Sequence, residues 1–141
     1  MTQWIEILDQ RLDASAAIAF VSAPEAGGIA VFLGTTRAEK NGASDLLALD
    51  YEAYQEMALK QLIELAQQAR QKWPILKLTI LHRIGRVNVG EPSVIIAVST
   101  PHRAESFEAC RWLIDGLKQQ ATIWKKEIWS DGTGRWVDPH A

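Results

Sequence analysis

Hydrophobic and polar positions alternate in "TQWIEIL" near the start of the chain, the signature of a strand with one face covered. A short apolar segment, "ASAAIAFVS", follows Asp13, which is placed to cap it as a helix, and Pro24 stops it. "GGIAVFLGTT" is apolar and β-branched and is opened by two glycines, which predicts a buried strand. "RAEKNGASD" is polar, contains an Asn-Gly pair and reads as a mobile loop, and "LLALDYEAY" alternates again as a strand. Ala58, Leu62, Leu65, Ala66, Ala69 and Trp73 then recur at helical spacing, predicting a helix from about Gln55 to Trp73 that ends before Pro74.

Two further strands are predicted in "ILKLTILHRI" and "PSVIIAVST", with "GRVNVGE" as the turn between them. "TPHRAESFEACRWLIDGLKQQ" has helical periodicity. Its expected N-cap is Thr100, with Pro101 as the first residue, where a missing N–H costs least, and its expected apolar stripe is Phe107, Cys110, Leu113, Ile114 and Leu117. The chain closes with a strand "TIWKKEIW", a turn "SDGTG" and a short extended "RWV". Helices and strands mix without strict alternation, so the expected class is α+β, with a mixed or mostly antiparallel sheet and packed helices, in a single domain over residues 1–141.

Composition narrows the function classes. A net charge of -2 gives no general attraction to nucleic acid or to anionic membrane, so any anion site must be local. No apolar run reaches the roughly 20 residues of a membrane span. The N-terminal "MTQWIEILDQ" lacks a basic-then-apolar pattern, so no signal peptide is expected and the expected location is the cytoplasm. The single cysteine, Cys110, excludes an internal disulfide, and its place on an apolar stripe suggests core rather than nucleophile. His82, His102 and His140 lack metal-ligand spacing, so no metal is expected.

Three groups of residues could carry chemistry. His102 and Arg103 fall in the first turn of a helix, where free N–H groups already favour an anion, and cations there oppose the helix dipole. The same residues also fit a bland reading, with Arg103 paired to Glu105 or Glu108 and His102 exposed. Arg37 follows a buried strand at the start of a loop, a place where ligands are often met, or is an ordinary exposed arginine. Lys118, Lys125 and Lys126 form the third group. A lysine desolvated beside another cation loses basicity and can act as acid, base or nucleophile. Lys118 also suits the negative end of a helix dipole. Strand alternation sends Lys125 and Lys126 to opposite faces, so only one can face a given pocket.

Taken together and in order, "GGIAVFLGTTR", "LDYEAYQEMA", "HRIGRVNVGE", "STPHRAESFEAC", "IDGLK" and "IWKKE" resemble the large, catalytic subunit family of molybdopterin synthase over most of the chain. The resemblance implies an α/β hammerhead fold and a sulfurtransferase. Its substrate would be cyclic pyranopterin monophosphate, converted to molybdopterin by installing two dithiolene sulfurs, a step of molybdenum cofactor biosynthesis. The sulfur would arrive as a thiocarboxylate on the C-terminal Gly-Gly of a small ubiquitin-like subunit, within a heterotetramer built on a homodimer of the large subunit. No cofactor or metal is implied.

By the same resemblance Lys118 and Lys125 are the catalytic lysines, and Thr35, Thr36, Arg37, His102, Arg103, Lys126 and Glu127 bind substrate. Thr122 stands where a proline is common in the family, which implies a looser approach to Lys125. The ending "VDPHA" is shorter than the family tail. Arg103 and Lys118 lie 15 residues apart on one helix, roughly 22 Å, which is too far for one pterin. The expected site is therefore composite, with Lys118, Lys125 and Arg37 from one chain and His102 and Arg103 from its dimer mate. The tryptophans flanking Lys125 are expected to exclude water from it. Two other readings use the same residues: a non-catalytic docking module for a ubiquitin-like partner, and a single-stranded nucleic-acid binder, against which the overall acidity speaks.

Overall fold

A computed structural model describes residues 1–137 of the chain; His140 and the rest of the closing "DPHA" lie outside the described residues. The chain runs β1 (Gln3–Leu8), α1 (Ala14–Val21), β2 (Gly28–Thr35), β3 (Lys40–Asn41), β4 (Ser44–Ala53), α2 (Gln55–Lys72), β5 (Lys77–Arg83), β6 (Gly85–Asn88), β7 (Pro92–Thr100), α3 (Arg103–Gln120), β8 (Ile123–Trp129) and β9 (Gly134–Val137). Strands β1-β5-β7-β2 form one sheet, and β3-β4-β8-β9, with β6 also on β4, form a second. β1 runs parallel to β5, and the other pairings are antiparallel. The mixed α+β class expected from the sequence holds, divided between two sheets.

The first sheet is buried on both faces, which explains the long apolar runs of β5 and β7. Leu78 and Ile80 of β5 and Val94, Ile96 and Val98 of β7 face helices α2 and α3, joining Leu62, Leu65, Leu113 and Leu117 in the main core. The alternate residues Leu81 and Ile95 face α1 and meet Leu12 and Ala17. Arg70 ties three segments together: Nη2 donates to Thr2 O at 2.8 Å, Nη1 to Ile75 O at 3.2 Å and Nε to Gln3 Oε1 at 3.3 Å. The α1 cap forms as expected, with the Ala16 N–H donating to Asp13 Oδ1 at 3.1 Å.

Four local expectations change. The polar loop after Arg37 contains the short hairpin β3–β4, with Gly42 at φ +63° in its turn. "GRVN" is a strand, β6, paired with β4, and the turn lies beyond it at Gly90, φ +88°. Helix α3 starts at Arg103 with His102 as its N-cap; Thr100 ends β7, and its hydroxyl donates to His102 O at 2.6 Å. Phe107 leaves the expected stripe and is 66% exposed, whereas Ser106, Ala109, Cys110, Leu113, Ile114 and Leu117 are buried.

Gly27 and Gly28 have a steric purpose. A Cβ on Gly27 would lie 2.2 Å from Pro101 O, and one on Gly28 would lie 2.7 Å from Arg103 Cα. Bare backbone there lets the start of β2 touch the start of α3.

Candidate functional site

A cavity of about 370 Å³ opens where the C-terminal end of α3 meets the second sheet. Lys118 reaches it from the last turn of α3, whose dipole favours a cation. Lys125 reaches it from β8, and Tyr51 of β4 lies directly across from Lys125 in the strand register. His82 of β5 and Ser93 of β7 also line it, and Ile114 and Leu117 supply apolar wall. The lining contains two lysines and, among the described residues, no carboxylate.

That composition sets the electrostatics. Burial pushes the Lys125 ammonium below its ordinary basicity, the nearby Lys118 charge pushes the same way, and Glu127 and Glu39 oppose it. Burial also holds the His82 imidazole down to about 4 from its ordinary 6.5, so it is neutral near pH 7. The Tyr51 phenol is pushed up by burial, with the Ser93 hydroxyl bonded to it working in the other direction.

The connector between α3 and β8 joins the two elements that carry the lysines and is held by hydrogen bonds. Gln61 Oε1 accepts from the Thr122 N–H and from the Thr122 hydroxyl, each at 2.8 Å, and Thr122 O accepts from the Tyr54 N–H at 3.1 Å. Where a looser approach is implied by Thr122, threonine makes two donations that a proline, lacking both donors, could not make. Trp124 lines the cavity beside Lys125 and is 39% exposed, and Trp129 Nε1 donates to Glu127 Oε1 at 3.3 Å.

The remaining candidates are distributed around this cavity. Lys126 takes the opposite face of β8, as alternation requires, with its Nζ 5.8 Å from the Trp136 ring centroid. Arg37 is exposed and paired with Glu39 at 3.0 Å, and the Glu39 charge is felt by Lys125. Thr35 ends β2 just past an irregularity in its pairing with β7. Thr36 is 2% exposed; its N–H donates to Glu91 O at 3.1 Å, its carbonyl accepts from Gly90 N at 2.8 Å and its hydroxyl donates to Val87 O at 3.5 Å. Thr36 thus anchors the base of the Arg37 segment.

His102 and Arg103 are exposed at the other end of α3. Among the described residues neither is in an ion pair, and Glu108 accepts from Trp73 Nε1 at 3.1 Å instead. The pairing of Arg103 with Glu105 or Glu108 is therefore not formed. Within one chain, Lys118 and Lys125 come together, while His102 and Arg103 stand roughly 22 Å away along the helix. His82, Tyr51, Ser93 and Gln61 were not singled out as site residues from the sequence. Their role depends on strand pairing between distant segments, for which no local spacing is a signal.

Fold and site define an α+β protein with a lysine-bearing cavity at one end of a long helix and uncommitted cations at the other. The MoaE protein family model matches residues 7–120. A molybdopterin synthase catalytic subunit of Arabidopsis thaliana is 48% identical over 130 residues, covering 91% of this chain and 65% of that protein. One of Thermoplasma volcanium is 42% identical over 133 residues, covering 94% of this chain and 96% of that protein. The crystal structure of molybdopterin synthase from Staphylococcus aureus is similar at a TM-score of 0.88 and 34% identity, covering 94% of this chain and 96% of that one. The chain belongs to the MoaE protein family, whose curated relatives here are molybdopterin synthase catalytic subunits. No helix among the described residues is long and apolar enough to cross a membrane.

Proposed function

We propose that this chain is the catalytic subunit of a molybdopterin synthase. It transfers sulfur from the C-terminal thiocarboxylate of a small ubiquitin-like subunit to cyclic pyranopterin monophosphate, in the cytoplasm. The observation that carries this reading is the pairing of Lys118 and Lys125 in one cavity whose described lining holds no carboxylate. An extended peptide end and its acyl–sulfur group suit a cleft of about 370 Å³ with cationic walls. As an ammonium, a lysine stabilises the oxyanion that forms when the tail's carbonyl is attacked. Lowered basicity leaves more of Lys125 as the free amine near neutral pH, the form able to take up a proton. The tail's sulfur bonds to a pterin carbon to give a thioester; water then attacks its carbonyl, the acyl–sulfur bond breaks with the sulfur kept by the pterin, and the tail leaves as an ordinary carboxylate.

Arg37, His102 and Arg103 bind the substrate phosphate, with Thr35, Lys126 and Glu127 bordering the approach and Thr36 supporting Arg37 from below. The last two cations come from a second copy of the chain. Two features support that arrangement. β2 is the edge strand of its sheet and exposes Ile29, Val31 and Leu33, and the start of α3 packs against the start of the same strand. An apolar edge flanked by uncommitted cations suits a twofold contact that delivers those cations to the mate's cavity.

Incubating the protein with thiocarboxylated small subunit and the cyclic pterin, then seeking dithiolene product by mass spectrometry, tests the reading. Product is expected, and its absence with a bound partner would leave only the docking-module reading. For the composite site, chains carrying Lys118→Ala are mixed with chains carrying Arg103→Ala. Mixed dimers should regain activity, because one of their two sites is intact. Recovery no greater than that of either variant alone would rule out sharing between chains.

A further inference from the structure

His82 has no part in the reading above, yet it is one of the most constrained groups beside the cavity. It is 4% exposed, and alternation along β5 places it on the face of Leu78 and Ile80, under α3. Its Nδ1 lies 2.8 Å from Arg83 O. A carbonyl only accepts, so Nδ1 carries the proton and Nε2 keeps its lone pair. The Tyr51 ring meets the imidazole edge-on, with centroids 5.1 Å apart at 68°. Ser93, beside Tyr51 in the cavity lining, donates its hydroxyl to Gly34 O at 3.2 Å. The imidazole is thus held by the Arg83 carbonyl on one side and the Tyr51 ring on another.

The charged and titratable groups facing it are Tyr51 from β4, Lys118 from α3 and Lys125 from β8. Arg83, next along β5, points to the other face of the sheet and lies 3.6 Å from Glu91. Two ammonium groups therefore share a lining without a carboxylate, and the Ser93 hydroxyl proton is committed to Gly34 O. The imidazole lone pair is the strongest preset acceptor left to them.

We propose that His82 is a positioning residue for the lysine pair: the Lys118 side chain, which lines the same cavity without bonding to the ring in this conformation, turns its ammonium onto the neutral Nε2, which holds that charge beside Lys125. Of the two lysines, the Lys118 charge acts on His82 more strongly. A neutral acceptor orients the ammonium without cancelling its charge. A carboxylate in the same place would attract both lysines and keep Lys125 protonated. The inference rests on the sulfur-transfer reading only for its consequence in turnover.

Two measurements need no sulfur transfer. Long-range ¹H–¹⁵N spectra of the wild-type protein should show His82 as the Nδ1–H tautomer at neutral pH, with an Nε2 resonance that moves in Lys118→Ala. An Nε2–H tautomer, or an Nε2 resonance indifferent to Lys118, would overturn the proposal. Amine acetylation read residue by residue should find Lys125 labelled like wild type in His82→Gln. In His82→Asp the labelling should be about tenfold slower at a fixed mildly alkaline pH, the equivalent of about one pKa unit. Equal labelling in all three proteins would also overturn it, and should His82→Asp fail to fold, the wild-type spectra still decide.

In turnover, His82→Leu should lower kcat by about tenfold to a hundredfold with KM nearly unchanged, and His82→Gln should restore most of it. If the spectra and labelling come out as expected but no dithiolene product forms in any variant, the sulfur-transfer reading fails and the positioning role stands.

Discussion

The two ends of helix α3 hold cations in opposite ways. At the C-terminal end, exposed Lys118 and half-buried Lys125 share the lining of one cleft, where burial and the Lys118 charge depress the basicity of Lys125. At the N-terminal end, His102 and Arg103 are exposed beside an edge strand, opposing the helix dipole and, among the described residues, in no ion pair. The contrast separates two tasks that one fold can serve. Desolvation tunes a proton-transfer group, which is useful to chemistry. Exposure keeps a charge ready for an anion that arrives from elsewhere. A single helix supplies both, too far apart for one small substrate, and the natural resolution is two copies of the chain.

The contrast between the two helix ends has measurable consequences. The largest effect is expected for Lys125→Ala, which should cost turnover by on the order of 10²–10⁴ while leaving affinity for the small subunit intact. Equal loss of both would mean that the cleft end is only a binding rim. Next is stability against acid. The His82 pKa is about 4 folded against an ordinary 6.5, so the unfolded state binds the extra proton between those values. Stability contributed by the neutral ring is complete above pH 6.5 and is lost as pH falls toward 4, by at most about 3 kcal/mol. Denaturant titrations across that window should show the slope, and His82→Gln should flatten it.

At the exposed end, Arg103→Ala should weaken substrate binding by roughly tenfold to a hundredfold, the worth of a charge-assisted contact. That loss should shrink as salt rises, whereas the Lys125 effect should not. A smaller effect is expected of Gly28→Ala. The added methyl meets the Arg103 backbone, and its cost should be about 1–3 kcal/mol in thermal or denaturant unfolding. Least of all, Cys110 should resist thiol reagents in the folded protein, since burial pushes its thiol up to about 11.

Much of the fold could be read from periodicity. The stripe Ala58, Leu62, Leu65, Ala66 and Ala69 is buried as the spacing requires, and Asp13 caps α1. Phe107 shows where periodicity misleads: the stripe spacing admits it, but α3 rotates to bury Ser106 and Ala109 against β2 and β7 instead. Helix α3 starts late because Thr100 is still paired in β7, and a strand's ladder outweighs an attractive capping residue. Likewise "GRVN" looked like a turn because a four-residue strand has little pattern of its own and exists by pairing with β4. In the site, the reactive lysines were recognisable from residue type and motif. Their neutral surroundings were not, since Tyr51, His82 and Ser93 converge only after three strands from different parts of the chain are aligned.

The clasp between Gln61 and Thr122 has an evolutionary reading. One amide oxygen receives both donors of a single threonine. A residue at 122 without those donors, such as proline, would strand that oxygen at the root of the strand bearing Lys125, so the two positions are exchanged best as a unit. Chimeras assembled from relatives should keep residues 61 and 122 from the same parent, and a crossover that divides them should yield a poorer enzyme than either source.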